Sequence, residues 1–165
     1  ITSSIVVTNA VDVNALGTYT VSYTVSDTSG NAAIETMRIV NVIGVIDIDG
    51  NGQYDALTDG LLLLRSMFGL DGDPLIVGTV ASDATFKSAA EIERRIDDLG
   101  LLIDVDGNGK IDALTDGLLI LRYLFGLDGD PLIKDVVAQD AVRDTAAEIE
   151  AYLESLMPIL QVDLL

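Results

Sequence analysis

The chain has 165 residues, enough for one ordinary domain or two small ones, and nearly half of them are apolar, so a sizeable core can be buried. Its 27 Asp+Glu against 9 Lys+Arg give a formal net charge of -18, which repels nucleic acid and anionic membranes and concentrates cations. The absence of Cys and His excludes disulfides, soft-metal sites and imidazole or thiol catalysis, and leaves hard, oxygen-ligated cations as the metals to expect.

The first 43 residues have the pattern of β-structure. Residues 19–26 alternate with period two, which predicts a strand, and Asp27 to Asn31 predicts a turn. Residues 32–43 predict a second strand, and residues 5–7 a shorter one before it.

This segment resembles the closing part of a bacterial immunoglobulin-like repeat of secreted proteins. The residues that carry the resemblance are Gly17, Thr18, Tyr19, Tyr23, Asp27, Gly30 and Asn31. It covers about the last half of such a domain and implies a partial β-sandwich over residues 1–43, with unpaired strand edges.

Residues 47–76 and 104–133 form a duplicated unit. The offset between the copies is 57 residues, and the register continues without a gap into residues 89–93 and 146–150. The sequence of each unit predicts an acidic loop, an apolar helix, a connector and an amphipathic helix. The apolar helices are predicted over about 58–68 and 115–125.

The amphipathic helices are predicted to begin at capping boxes. The spacing from Ser88 to Glu91, and from Thr145 to Glu148, is that of an N-cap residue and its reciprocal partner.

The two acidic loops have the spacing of EF-type calcium loops. Such a loop carries oxygen ligands at alternate positions, with Gly at position 6 for the turn, because only every second side chain points inward. The predicted ligands, with Gln53 and Lys110 acting through their carbonyls, are Asp47, Asp49, Asn51, Gln53, Asp55 and Asp59, and Asp104, Asp106, Asn108, Lys110, Asp112 and Asp116. The alternative is an aspartate-rich turn without metal.

Position 12 of each loop departs from the usual pattern. It is Thr58 or Thr115, and the carboxylate comes one residue later. Either the loop has 13 residues and Asp59 or Asp116 closes it, or that Asp caps the helix and water fills the gap; we favour closure. The shorter reach of Asp predicts a Kd on the order of 10⁻⁴–10⁻³ M, as in extracellular modules.

The duplicated region resembles the tandem dockerin-like, EF-hand repeats of secreted bacterial proteins. The shifted acidic residue and the 57-residue spacing depart from the usual dockerin pattern. A second carboxylate pair, Asp71 with Asp73 and its copy Asp128 with Asp130, predicts either a polar turn, which we favour, or a further ion.

We therefore expect an α+β chain: a partial immunoglobulin-like β-sandwich over 1–43, an all-α tandem EF-hand/dockerin-like calcium domain over 44–157 and a strand-like tail over 158–165. Two calcium ions are expected, with no enzymatic activity, no nucleic-acid partner and no membrane insertion. Because residue 1 is Ile rather than Met, we expect a processed or trimmed piece of an extracellular or cell-surface bacterial product.

Two functions stay open at this point. The first is a structural assembly module, in which the apolar tail completes the open sandwich of the next subunit by strand addition and joins a homopolymer head to tail. Its alternatives are a tail that packs on its own chain and a tail that begins a truncated domain. The second is a dockerin-like recognition module that binds a cohesin-type partner and anchors a secreted enzyme.

Overall fold

The computed structural model describes residues 5–11, 17–42 and 45–157. The chain divides into two compact units, with the boundary between Ile43 and Gly44. The first is a sheet and the second is helical, which confirms the α+β class. The predicted tail over 158–165 lies outside the described residues.

The first unit is a three-stranded antiparallel sheet in the order β1-β2-β3. Its strands are β1 (Val6–Asn9), β2 (Gly17–Thr24) and β3 (Thr36–Val42). All three predicted strands are present, although β3 begins four residues later than expected. The described residues form one sheet, and the second layer of the predicted partial sandwich is not seen among them.

Asp27 organises the turn between β2 and β3. Its Oδ1 accepts the backbone N–H groups of Ser29 and Asn31, each at 2.9 Å, and its Oδ2 accepts the Asn31 side chain at 2.8 Å. Gly30 has φ +85°, which a residue with a side chain rarely adopts. These interactions favour the charged carboxylate, with the Asn31 side-chain hydrogen bond as the largest cause, and hold the pKa of Asp27 below its usual value.

Six α-helices form the second unit, three in each repeat. They are α1 (Leu61–Met67), α2 (Gly72–Ile76), α3 (Ala89–Leu99), α4 (Leu118–Leu124), α5 (Gly129–Ile133) and α6 (Ala146–Ser155). A π-helical turn precedes α1 at Ala56–Gly60 and α4 at Ala113–Gly117, and a 3₁₀ turn at Gly100–Ile103 follows α3. The predicted apolar helices and both capping boxes are confirmed.

The two repeats share one hydrophobic core. Its fully buried members come from matched positions, such as Leu62 with Leu119, Leu63 with Ile120 and Ile92 with Ile149. Glycine allows the close approach of the two apolar helices, because a Cβ on Gly60 would lie 3.1 Å from Leu121 Cδ1. A Cβ on Gly117 would lie 2.8 Å from Leu64 Cδ1.

The short helices α2 and α5 were not expected from the sequence. Pro74 is compatible with the first turn of α2, where its missing N–H needs no intrahelical partner. The Gly72 N–H donates to Glu93 Oε1 at 2.7 Å, and the Gly129 N–H donates to Glu150 Oε1 at 2.7 Å. A carboxylate on the amphipathic helix of each repeat therefore accepts a hydrogen bond from the first N–H group of the short helix.

Candidate metal centres

Each acidic loop brings three aspartates together. In the first loop they are Asp47, Asp49 and Asp59, and in the second Asp104, Asp106 and Asp116. Within each triad, one carboxylate oxygen from every residue lies within 4.8 Å of the others. All six residues are at most 7% exposed.

The π-helical turn places the third aspartate of each triad. The Gly60 N–H donates to Asp55 O at 3.1 Å, and the Gly117 N–H donates to Asp112 O at 3.1 Å, which is an i to i+5 hydrogen bond. Such a turn accommodates one residue more than an α-helical turn. The extra residue of the 13-residue loop is absorbed there, and the side chain at position 13 is brought beside those at positions 1 and 3.

Backbone N–H groups surround the triad of the first loop. Asp59 Oδ1 accepts from Ile48 N at 2.6 Å, and its Oδ2 accepts from Asp55 N at 2.9 Å. Asp47 accepts from Gly50 and Gly52, and the second loop repeats these bonds at equivalent residues. All of these donors are neutral backbone N–H groups, so none of these hydrogen bonds brings a positively charged side chain to the triad.

The connector of each repeat closes onto its own loop. Ala81 N donates to Asp49 Oδ2 at 2.9 Å, and Phe86 N donates to Asp49 O at 2.9 Å. In the second repeat, Ala138 N and Arg143 N donate to the same two acceptors of Asp106. Residue 3 of each loop is therefore fixed by a segment more than 30 positions away.

Burial opposes ionisation of the triads. It raises the pKa of Asp59 to about 6, although the backbone N–H donors partly offset that effect. Burial also raises the pKa of Asp47 and of Asp116. Loss of water is the largest cause in all three cases, which is the environment in which a bound cation stabilises the charged form.

The other predicted ligands lie outside the triads. Asp55 and Asp112 are exposed, and Asp112 Oδ1 accepts the Leu114 N–H at 2.8 Å. Asn51 Oδ1 accepts from Gln53 N at 2.9 Å, and Asn108 Oδ1 accepts from Lys110 N at 2.9 Å.

The second loop contains a lysine side chain that the first loop lacks. Lys110 Nζ lies 2.7 Å from Asp140 Oδ2, and both side chains are exposed. The equivalent residue in the first loop is Gln53, so the two sites differ by one positive charge.

The carboxylates of the DGD turns do not join either triad. Asp71 and Asp128 are the N-cap residues of α2 and α5, with Asp73 and Asp130 in the first turn. Among the described residues, the only groups of three or more His, Cys, Asp or Glu with metal-binding spacing are the two triads. Each pair therefore lies at the start of a short helix rather than in the predicted turn.

Two basic residues escaped the sequence analysis. Arg95 and Arg143 donate to backbone carbonyls at the start of the first and second loop, respectively. They do not occupy equivalent positions in the 57-residue repeat, so comparison of the repeats gave no signal for them.

Comparison with known proteins is informative for the first unit. Residues 1–42 match a family model described as "Bacterial surface protein, Ig-like domain". The predicted immunoglobulin-like character of this segment is therefore supported by an independent observation. No curated protein and no solved structure matches the chain. Among the described residues, no helix combines the length and apolar content needed to cross a bilayer.

Proposed function

We propose that this chain is a calcium-binding structural module of an extracellular bacterial protein, with one ion in each acidic loop. The observation that carries the proposal is the pair of buried aspartate triads. Calcium binds oxygen ligands at 2.3–2.6 Å, so two ligands of one ion lie at most about 5 Å apart. The separations within each triad, up to 4.8 Å, fit that limit.

Charge favours a divalent cation over an empty loop. Proteins bury charged groups at a high cost unless an opposite charge is present, and each loop buries three carboxylates. Calcium tolerates flexible, all-protein coordination, whereas magnesium usually keeps several of its waters. The residues predicted to complete the shell are Asn51, Gln53 and Asp55, and Asn108, Lys110 and Asp112.

The direct test is the effect of calcium on thermal stability. Calcium at about 100 times its Kd adds roughly 2.7 kcal/mol per site if only the folded state binds. We expect a chelator to lower the Tm of the second unit, and Asp47→Ala and Asp104→Ala each to remove about half of that difference. An unchanged Tm in chelator would exclude a structural role for the metal.

The proposed location is the cell surface or the extracellular space. The match of residues 1–42 to an immunoglobulin-like domain of bacterial surface proteins supports it. The expected Kd suits a compartment where calcium is abundant. The proposed role is non-enzymatic, and sustained turnover of any substrate by the triads would contradict that assignment.

Within this function, we favour self-assembly through the sheet. By strand register, Val6, Met37 and Ile39 lie on one face of the sheet, and all three are exposed. The apolar residues 159–165 have the pattern of a short strand and are the proposed occupant, supplied by a second copy of the chain. Such a contact is head to tail and therefore propagates.

Assembly is tested by sedimentation velocity of the full chain in calcium. We expect large species that disappear when residues 158–165 are removed, and also when Ile39→Asp places a charge on the exposed sheet face. Leu57→Asp, at an exposed site in the other unit, is the control and should still assemble. A monomer at every concentration would exclude the filament.

A dockerin-like recognition role is the second candidate, and matched exposed apolar residues in the two repeats favour it. Leu57 and Leu114 are 64% and 60% exposed, and Phe68 and Phe125 are 56% and 55% exposed. The two repeats thus present the same apolar residues twice. Binding of a cohesin-type domain, lost in Leu57→Ala/Leu114→Ala, would favour this role over assembly.

A further inference from the structure

Arg95 and Arg143 make the same contacts from different positions of the repeat. Arg95 Nε donates to Ile48 O at 2.8 Å, and its Nη2 donates to Asp47 O at 2.7 Å. Arg143 Nε donates to Val105 O at 2.6 Å, and its Nη2 donates to Asp104 O at 2.5 Å. Both guanidinium groups therefore bind the carbonyls of loop positions 1 and 2.

At the repeat position where one copy has this arginine, the other copy has an aromatic residue. The 57-residue offset places Phe86 opposite Arg143, and Arg95 opposite Tyr152. The Arg95 Cζ lies 4.2 Å from the centroid of the Phe86 ring. The Arg143 Cζ lies 3.9 Å from the centroid of the Tyr152 ring. Each repeat thus has one arginine stacked on one ring, with the two residues transposed between the copies.

The loop glycine at position 4 confirms that the two stacks occupy equivalent space. A Cβ on Gly50 would lie 2.6 Å from the Phe86 ring, and a Cβ on Gly107 would lie 3.0 Å from the Arg143 guanidinium. The connector residue covers this glycine in both repeats: it is the Phe86 ring in the first repeat and the Arg143 guanidinium in the second.

We propose that the stacked arginine is a positioning residue for the metal loop, and that each repeat requires one arginine and one ring in this pair but accepts either order. A guanidinium provides several N–H donors in a fixed plane, so it can hold two adjacent carbonyls at once. With the carbonyl of Asp47 bound to Arg95, the carboxylate of the same residue is left to face the triad. The pair fixes which oxygen of loop position 1 is available to a cation.

Charge alone gives the opposite expectation, which makes the proposal testable. A guanidinium near a cation site repels the cation, so removing Arg95 should strengthen binding if its charge were the main effect. If positioning dominates, its removal weakens binding, as for residues that orient metal ligands, whose loss typically costs about 10–100-fold in affinity. The stack itself adds cation–π stabilisation.

The inference rests on the proposed metal binding. It is tested by titrating the full chain with calcium while recording ¹H–¹⁵N spectra. Gly52 N–H donates to Asp47 Oδ2 and Gly109 N–H to Asp104 Oδ2, so their amide signals report the two loops separately. The variants are Arg95→Phe, Phe86→Arg and the transposed Phe86→Arg/Arg95→Phe. Arg94→Phe removes the same charge from an exposed neighbour and is the control.

We expect Arg95→Phe and Phe86→Arg each to weaken calcium binding at Gly52 by about tenfold or more, and the transposed variant to restore it to within about threefold. Gly109 should titrate normally in every variant, and Arg94→Phe should match the parent. Arg95→Lys, which keeps the charge without the planar fork, should behave like Arg95→Phe.

Three results would overturn the proposal: unchanged or tighter binding in Arg95→Phe, full binding in Arg95→Lys, or a transposed variant whose Gly52 does not recover while Gly109 titrates normally. Failure of the parent chain to respond to calcium at either glycine would instead contradict metal binding itself. The two failures are therefore distinguishable.

Discussion

The first loop has six acidic or amide side chains and the second has five, but the chemistry of each loop depends on which oxygens are buried together. Asp59 is fully buried beside Asp47 and Asp49, whereas Asp55 is exposed and outside the triad. We expect Asp59→Asn to weaken calcium binding at the first site by at least about tenfold, because it removes a charged ligand from a shell with few of them.

Asp55→Asn is the matched comparison for Asp59→Asn, because it makes the same change at an exposed position of the same loop. Its effect on the calcium Kd, measured by calorimetry, should be smaller. Equal losses in the two variants would mean that the buried triad is not the centre of the site.

Stability of the metal-free protein should fall as pH rises. Burial raises the pKa of Asp59 to about 6, so between its ordinary value of 3.8 and about 6 the folded state holds a proton that the unfolded state has lost. The folded state is therefore favoured at pH 4 and loses this contribution as pH rises through 6, by up to about 3 kcal/mol.

The pH effect is measured by urea unfolding without calcium at pH 4 and pH 7. Asp59→Asn should show a smaller fall in stability between the two values than the parent, because the group responsible is gone. With calcium the dependence should reverse, since the ion requires the deprotonated carboxylate. A parent and variant with the same pH dependence would contradict the assignment to Asp59.

The helical elements show how the repeat tolerates an extra residue. The π-helical turns Ala56–Gly60 and Ala113–Gly117 each accommodate one residue more than an α-helical turn. Deleting the exposed Leu57 should convert the first turn to α-helix and place Asp59 at position 12 of a regular loop.

We expect calcium binding of the Leu57 deletion to stay within about tenfold of the parent, because a π-helical turn is formally an α-helical turn with one residue inserted. Titration of the deletion is compared with a variant that has one Ala inserted after Leu57, which should lose the first site. Loss of calcium binding in the deletion variant but not in the insertion variant would contradict the view that the π-helical turn accommodates one extra residue.

The packing of the two apolar helices is a second property of elements. A side chain at Gly117 would meet Leu64 and Met67, and one at Gly60 would meet Leu121 and Leu124. We expect Gly117→Val to lower the free energy of unfolding by about 1–3 kcal/mol, through overpacking and the χ1 restriction of Val in a helix.

Leu57→Val is the control for Gly117→Val, because it introduces the same residue at an exposed position of the equivalent turn. Its unfolding midpoint in urea should stay close to that of the parent. A Gly117→Val variant as stable as the parent would mean that the helices separate without cost.

Local features of the chain were predictable, and contacts between distant segments were not. The capping box from Ser88 to Glu91 lies within one helical turn, so its spacing alone was sufficient. The helix α2 was missed because its sequence has the composition of a turn and its N-terminus is completed by Glu93, 21 residues later. The arginine and ring were missed because their transposition removes the repeat signal.

At the scale of the whole molecule, the family match and the candidate metal centres fall in different units of the chain. The match to a bacterial surface domain covers residues 1–42, and both aspartate triads lie within residues 47–116. The duplicated unit has a single core built from both repeats. Loss of either ion should therefore lower the stability of the unit as a whole rather than that of one repeat.

Calorimetric titration of the calcium-free chain tests the central claim most directly. The account predicts that two calcium ions bind per chain, with Kd values on the order of 10⁻⁴–10⁻³ M, and that Asp59→Asn and Asp116→Asn each remove one. A titration without heat, accompanied by an unchanged melting curve, would contradict it.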